Sequence, residues 1–570
     1  MNLKVDLFIS VLATSLGLQA VGAAANNDSA VAPLGNPLTR ELTVTKRYLN
    51  LPVKNGATKR RATLLVDGRP ERQFDIELAD GSPDWWAFLD LEPFRGKTAT
   101  IQFDSLGENS RALQTIEQAN EIRGAEDLYQ EPLRPQFHFS SRRGWNNDPN
   151  GLMYYKGEYH LFYQHNPYGW SWGNMHWGHA VSSDLVHWKE LPIALYPDEH
   201  GTMFSGSAVV DWNNSAEFQT GREKALVCMF TAAGKPFTQG LAFSNDRGRT
   251  WTKYRGNPVL PHIAAENRDP KVIWYAPERK WVMALFLDHD TYSLFSSPDL
   301  KHWQRLDDIT IPGTSECPEF FEIPVAGDRR STRWVFYGGN GRYLLGSFDG
   351  RKFTTDSGPH TLNFGNCFYA SQTFNDIPTS DGRRILIPWG QMATPGMPFN
   401  QLMGLPVELT LRTNETGLQL YLNPVSELKS LRSGRALTKR QTIEPGRDFQ
   451  AAIQVELFDL SAEVRLGDAT EIGFNLRGVP VTYDVKRQEL SCQDKKGPLA
   501  PIDGRINLRI LVDRTSIDIF GNQGRLYMPM GVIVPPDNRT VKVAATGGSA
   551  EVDLEIYRLK SAWPTRQKGS

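Results

Sequence analysis

The sequence predicts an all-β protein: a five-bladed β-propeller followed by a C-terminal β-sandwich and preceded by a small N-terminal β module. Three observations predict it. A polar turn closed by an aromatic recurs as Ser183-Asp184-Leu185-Val186-His187-Trp188, then over residues 244–251, 297–303 and 347–353. The closing aromatics Trp188, Trp251, Trp303 and Phe353 stand roughly 50 to 60 residues apart, room for about four short strands each, which is one propeller blade. A strand-like run precedes each copy, at residues 159–163, 225–230, 281–287 and 334–337, and a further one at 384–389 brings the blade count to about five. Past residue 425 the tryptophans thin out, and alternating stretches at 451–457, 471–476, 506–512 and 516–520 predict the sandwich.

Taken in chain order, residues 1–25 carry one lysine, an apolar stretch from Leu7 to Leu18 and a small-residue end at Val21-Gly22-Ala23-Ala24-Ala25, the pattern of a secretory signal peptide. Residues 26–130 are expected to hold a small polar leader, the N-terminal module and a helical linker. The module's strands are predicted at 62–66, 73–78, 85–91 and 98–103, separated by turns such as Asp67-Gly68 and Asp80-Gly81. Residues 111–129 are rich in Ala, Glu, Gln and Leu and lack proline, which predicts the helix, ended by Pro132 and Pro135. The propeller is placed at 131–422 and the sandwich at 436–562, with 422–435 as linker.

Composition narrows the function. A formal net charge of -1 with interspersed signs gives no footprint for nucleic acid or an anionic membrane, and a neutral substrate fits better. No run beyond the N-terminal one approaches the roughly 18 apolar residues of a membrane span. The four cysteines, Cys228, Cys317, Cys367 and Cys492, are too scattered for a disulfide framework or a CxxC zinc site, and isolated buried thiols are expected. The 11 histidines form no HExxH motif, and His176 and His179, inside an aromatic stretch, read as hydrogen-bonded core residues. The sequence carries no signal for oligomeric state.

Three carboxylates lie in short motifs of their own. Asp148, in Trp145-Asn146-Asn147-Asp148-Pro149-Asn150-Gly151, sits on a tight turn that would display an ionised carboxylate at a strand end, as a glycosyl nucleophile requires. Alone, a turn residue capping backbone amides explains it as well. Asp269, in Arg268-Asp269-Pro270, has an adjacent guanidinium expected to keep it ionised. Glu316 precedes Cys317-Pro318 and the apolar Phe320-Phe321, so a shielded carboxyl that holds its proton is expected there, which suits a general acid. Glu319 and Glu322 lie close enough to be mistaken for it.

These motifs, in this order, resemble glycoside hydrolase family 32, the β-fructofuranosidases. So do residues 163–167, 172–179, 204–206, 368–370 and 511–521. The resemblance implies a retaining mechanism in which Asp148 attacks the anomeric carbon of a terminal fructosyl unit, Glu316 serves as acid and then base, and Asp269 stabilises the transition state through ring hydroxyls. It also implies that Asn147, Gln164, Trp172, Phe204, Ser205, Arg268 and Trp389 line the fructose pocket, and that no metal or organic cofactor is needed. Two departures stand out: Asn146 where the family usually has an apolar residue, and Glu319 in place of the more usual Asp. The N-terminal module, with Asp84-Trp85-Trp86, resembles a β domain of secreted bacterial fructan hydrolases, and its paired tryptophans are expected either to stack on polysaccharide or to pack. The expected activity is exo-hydrolysis of levan or inulin, with sucrose as a side substrate. The alternatives are an invertase acting mainly on sucrose, a fructosyltransferase and a non-catalytic fructan-binding propeller.

Overall fold

The computed structural model describes residues 38–564 apart from residues 108 and 109. The expected signal segment and the leader up to residue 37 lie outside the described residues.

The architecture is five four-stranded blades around an axis, the fourth and fifth merged into one nine-stranded sheet where Val325 pairs with Leu411, flanked by two smaller sheets before and two six-stranded sheets after. Each blade is an antiparallel meander, and blade 1, for example, runs Gly144–Tyr155, Glu158–Asn166, His176–Ser182 and Lys189–Glu190. The fifth is built from Tyr369–Thr373, Arg384–Gly390, Val407–Asn414 and Gly417–Pro424. First strands of successive blades contact one another around the axis. The short strand Phe399–Asn400 pairs in parallel with Gly144 and Trp145, tying the last blade back to the first.

The recurring turn has a physical cause. Asp184 accepts the backbone N–H groups of Val186 and His187 at 3.0 and 2.8 Å, and the Trp188 indole closes the loop by donating to Leu185 O at 3.1 Å. Asp299 and Trp303 repeat this with Lys301, His302 and Leu300, and Asp246 with Trp251 does the same in blade 2. A carboxylate satisfies turn amides while the aromatic covers the neighbouring strand. In each case the turn joins the third and fourth strands of its blade, so one motif in each of the first four blades was visible in the sequence.

Two expectations are corrected. Residues 111–129 do not form a helix but a four-residue helical turn, Ala112–Thr115, a strand, Glu117–Ala119, and a 3-10 turn, Ala125–Asp127. Tertiary pairing of Glu117–Ala119 with Tyr48–Val53 outweighs local helix propensity. The expected linker is likewise mostly structured: the fifth blade extends to Pro424, a 3-10 turn covers Ser426–Leu431, and the first sandwich strand starts at Arg432.

The N-terminal module is a sandwich of a four-stranded sheet, containing Leu38–Thr43, Thr98–Phe103, Arg60–Val66 and Arg69–Ile76 in that order, on a three-stranded one of Trp85–Asp90, Tyr48–Val53 and Glu117–Ala119. Trp85 is buried in its core and donates to Asn55 Oδ1 at 2.9 Å. The Trp86 ring is covered by Arg123, 4.4 Å from its centroid. Trp85 therefore packs, while Trp86 stays half-buried. All four cysteines are free, with Cys228, Cys367 and Cys492 buried. His179 stacks on Phe162 and shares a 3.1 Å contact with His160, and His176 bonds Asn174 O.

Candidate active site

The first strands of the blades are irregular where they begin. Their pairing shifts register between Asn146 and Pro149 in blade 1, Phe204 and Gly206 in blade 2, Arg268 and Lys271 in blade 3, and Tyr369 and Gln372 in blade 5. A bulge bends the strand and re-aims a side chain. Here the re-aimed residues include Asp148, Ser205 and Asp269. Asp269, Glu316, Cys317 and Ala370 also hold positive φ values of 64°, 58°, 42° and 46°, a conformation that costs non-glycine residues of order 1 kcal/mol or more and clusters at functional sites. Gly206 is required by its bulge, since a Cβ there would stand 2.0 Å from Met229 O.

The result is a cleft lined by Asp148, Pro149, Ser205, Asp269, Cys317 and Gln372, among others. The Cys317 sulfur lies 3.6 Å from Asp148 Oδ2 and 3.5 Å from Asp269 Oδ2. Ser205 donates to Asp148 Oδ2 at 2.6 Å, Asn147 Nδ2 donates to Asp148 Oδ1 at 3.0 Å, and Asn147 Oδ1 accepts the Trp145 indole N–H at 2.8 Å. Desolvation raises the Asp148 pKa, and the Ser205 and Asn147 donors oppose it. The same desolvation, with three carboxylates nearby, pushes the Cys317 thiol well up.

Arg268 does not act as expected. Its Nη2 donates to Glu316 Oε1 at 2.7 Å, and only Nε approaches Asp269, at 3.9 Å. Burial wins at Asp269: desolvation raises its carboxyl to about 7, Arg268 pulling it down and Glu316 and Asp148 adding to the rise. Its Oδ2 accepts the Cys317 N–H at 3.0 Å, and its own N–H donates to Thr231 Oγ1 at 3.0 Å. Glu316 in turn is not shielded by apolar neighbours. Besides Arg268 it accepts the Tyr369 hydroxyl at 2.6 Å, and its side chain is 32% exposed. The backbone explains the difference: its left-handed φ turns Glu316 away from Phe320 and Phe321, which are buried in the sheet.

Of the remaining predicted residues, Trp172 is 54% exposed and meets the Phe204 ring edge-on at 5.8 Å. Trp389 stands edge-on to Trp145 and Tyr369 and donates to Gln401 at 3.2 Å. Gln164 is buried below the cleft, its amide donating to Met203 O at 2.9 Å, so it supports the Phe204–Ser205 bulge. Glu319 is fully buried. Lys271 Nζ lies 2.7 Å from its Oε1, and Thr373 donates to its Oε2 at 2.7 Å, while Glu322 is exposed and accepts from Thr332. Asn146 is buried, its Oδ1 3.4 Å from Ser141 N. Sequence reasoning missed Tyr369, although its motif was noted, and it missed Gln401. Neither has a local signal, because their partners are 53 and 12 residues away.

Asp148 and Asp269 line one cleft, and Glu316 stands beside it with the Arg268 guanidinium and the Tyr369 phenol on its carboxylate, an arrangement that suits acid–base and nucleophilic chemistry on a sugar. The model of the glycosyl hydrolases family 32 N-terminal domain matches residues 138–424, and that of the family 32 C terminal matches residues 427–558. A levanase of Bacillus subtilis is 39% identical over 487 residues, covering 77% of this chain and 72% of that protein. An extracellular exo-inulinase of Aspergillus awamori is 31% identical over 516 residues, covering 76% and 96%. The crystal structure of exo-inulinase from Aspergillus awamori superposes with a TM-score of 0.71 at 30% identity, covering 76% of this chain and all of that one. With its propeller, its sandwich and its carboxylate cleft, the chain belongs to glycosyl hydrolase family 32.

Proposed function

We propose that this chain is an exported β-fructofuranosidase that releases terminal β-D-fructofuranosyl units from levan or inulin, with sucrose as a lesser substrate. The supporting observation is the convergence of Asp148 and Asp269 on the Cys317 sulfur, with Arg268 joining Asp269 to Glu316. Asp148 attacks the anomeric carbon, Glu316 gives its proton to the departing oxygen, and Glu316 then takes a proton from the water that releases fructose. Asp269 steadies the ring hydroxyls as charge develops. The names levanase and exo-inulinase borne by the relatives favour a polymer. Residues 1–25 act as the export signal in this reading, and no helix among the described residues is long and apolar enough to cross a membrane.

A chromatographic time course on levan, inulin and sucrose tests it. Fructose alone from the first minutes, released with retained configuration by NMR, is expected. Early oligosaccharides would mean endo cleavage, and longer products from sucrose would mean transfer. Asp148→Ala and Glu316→Ala should each lower kcat about 10³-fold or more with the fold intact, and near-wild-type rates in either would refute the assignment.

A further inference from the structure

Residues 38–137 lie outside the stretch matched by the family models, yet this part of the chain holds a loop whose Trp172 meets Phe204, the neighbour of the cleft residue Ser205. The link is the loop 167–175, which joins the second and third strands of blade 1 and carries Trp172. Its only regular features are turns and bends, and it is held from three sides. Asn166 donates to Ser171 O at 2.8 Å and accepts the Tyr168 N–H at 3.2 Å. From the fifth blade, Phe399 O accepts the Trp170 indole at 3.1 Å and Asn400 donates to Trp170 O at 3.0 Å.

The third hold is the N-terminal module. Tyr168 is buried within the module's own apolar core, stacked on Phe74 with centroids 3.9 Å apart. Asn174, at φ 45°, turns its carboxamide onto Arg69–Ile76, an edge strand of the four-stranded sheet. Its Oδ1 accepts the Asp75 N–H at 2.8 Å, and its Nδ2 donates to Asp75 O at 2.7 Å and to Asn166 Oδ1 at 3.0 Å. A carboxamide presents a donor and an acceptor side by side as a peptide does, so it closes the open edge as another strand would.

We propose that the N-terminal module is part of the substrate site: through Phe74 and the Asp75 backbone it fixes Trp172 at the mouth of the cleft and so sets affinity for fructan units beyond the terminal one. The proposal rests on the fructosidase reading. An exposed tryptophan on a loop without regular structure loses freedom when a ligand settles on it, and anchoring the loop beforehand removes that cost. Trp172 touches Phe204, the neighbour of Ser205, which bonds Asp148. Phe74, Asp75 and Asn174 are positioning residues, acting through Trp172.

Asp75→Pro removes the one N–H that Asn174 accepts, on an edge strand that tolerates proline. Arg61→Ala controls for the exposed ion pair with Asp75 that the same change breaks. Asp75→Pro should raise KM for levan or inulin about three- to tenfold, the worth of a single hydrogen bond, with kcat and the sucrose KM changed by less than about twofold. Arg61→Ala should match wild type. In a Trp172→Ala background Asp75→Pro should add nothing, since the two act in series. Wild-type fructan KM in Asp75→Pro, or an increase of equal size in the Trp172→Ala background, overturns the proposal. Should Asp75→Pro fail to fold by circular dichroism, Asn174→Ala carries the same expectations. If wild type turns over no fructosyl substrate, the fructosidase reading fails separately. The same cycle is then read as retention on native gels cast with levan or inulin, where an additive loss, or no retention by any variant, overturns the proposal.

Discussion

At the scale of single residues, burial and charge compete at Asp269, and burial prevails. Its carboxyl rises to about 7 although a guanidinium is near, so the folded state favours the neutral form. The folded chain then binds more protons than the unfolded one between about pH 4 and pH 7, and stability falls as pH rises through that window. Asp269→Asn keeps the shape and cannot ionise. It is expected to match wild-type stability near pH 4 and to exceed it at pH 7 to 8 in denaturant titrations, while kcat falls more than substrate affinity. A variant less stable than wild type at both pH values would contradict the assignment. Tyr369 offers a second test, since its hydroxyl donates to Glu316 at 2.6 Å. Tyr369→Phe leaves Arg268 as the remaining side-chain donor to that carboxylate and should lower kcat about 10-fold, with altered limbs in the pH–rate profile. An unchanged profile would show that the phenol only fills space.

At the scale of elements, the repeated turn and the strand bulge divide the work. In the first three blades the turn fixes where the fourth strand begins, through a carboxylate and an indole that are close in sequence. Asp299→Ala removes acceptors for Lys301 and His302 N–H and should lower stability by about 1 kcal/mol without changing KM, measured as the shift of the urea midpoint. A loss of activity at unchanged stability would mean that the turn reaches the cleft. The bulges act at the opposite end of the role, aiming side chains from four blades at one axis. Turns were legible in the sequence because both partners lie within six residues. The bulges were not, since a register shift belongs to two strands together and neither sequence alone encodes it.

At the scale of the whole molecule, the propeller and the sandwich are joined through a buried charge cluster. His138, at the entrance to the propeller, contacts Asp513 at 2.9 Å and Asp518 at 3.0 Å, both from the sandwich. Asp513 also accepts the Gln136 and Phe137 N–H groups. Trp563, near the end of the described chain, stacks on Tyr129 and donates to Pro135 O at 2.7 Å. Desolvation alone would lower the His138 pKa, but Asp518 and Asp513 raise it to about 9. A raised histidine stabilises the fold fully below its unfolded value of about 6.5 and loses that contribution as pH climbs through about 9. Stability should therefore drop by at most a few kcal/mol between those limits. His138→Asn should lie below wild type at pH 6 and show a flatter profile, and an identical pH dependence would exclude this cluster as its source.

What the sequence determined by itself was everything carried by short-range pattern: the all-β class, the blade repeat with its capped turns, the sandwich, and the three motifs holding Asp148, Asp269 and Glu316. Alternation, turn chemistry and local spacing survive in one dimension, so they were readable. What only the tertiary structure decided was pairing across the chain. It broke the helix expected over residues 111–129 and made Glu117–Ala119 an edge strand, gave Arg268 to Glu316 in place of Asp269, added Tyr369 to the acid, and seated Tyr168 in the core of the N-terminal module. Each of these depends on partners that folding alone brings within a few ångströms, where desolvation and direct hydrogen bonds outweigh the preferences of any single segment.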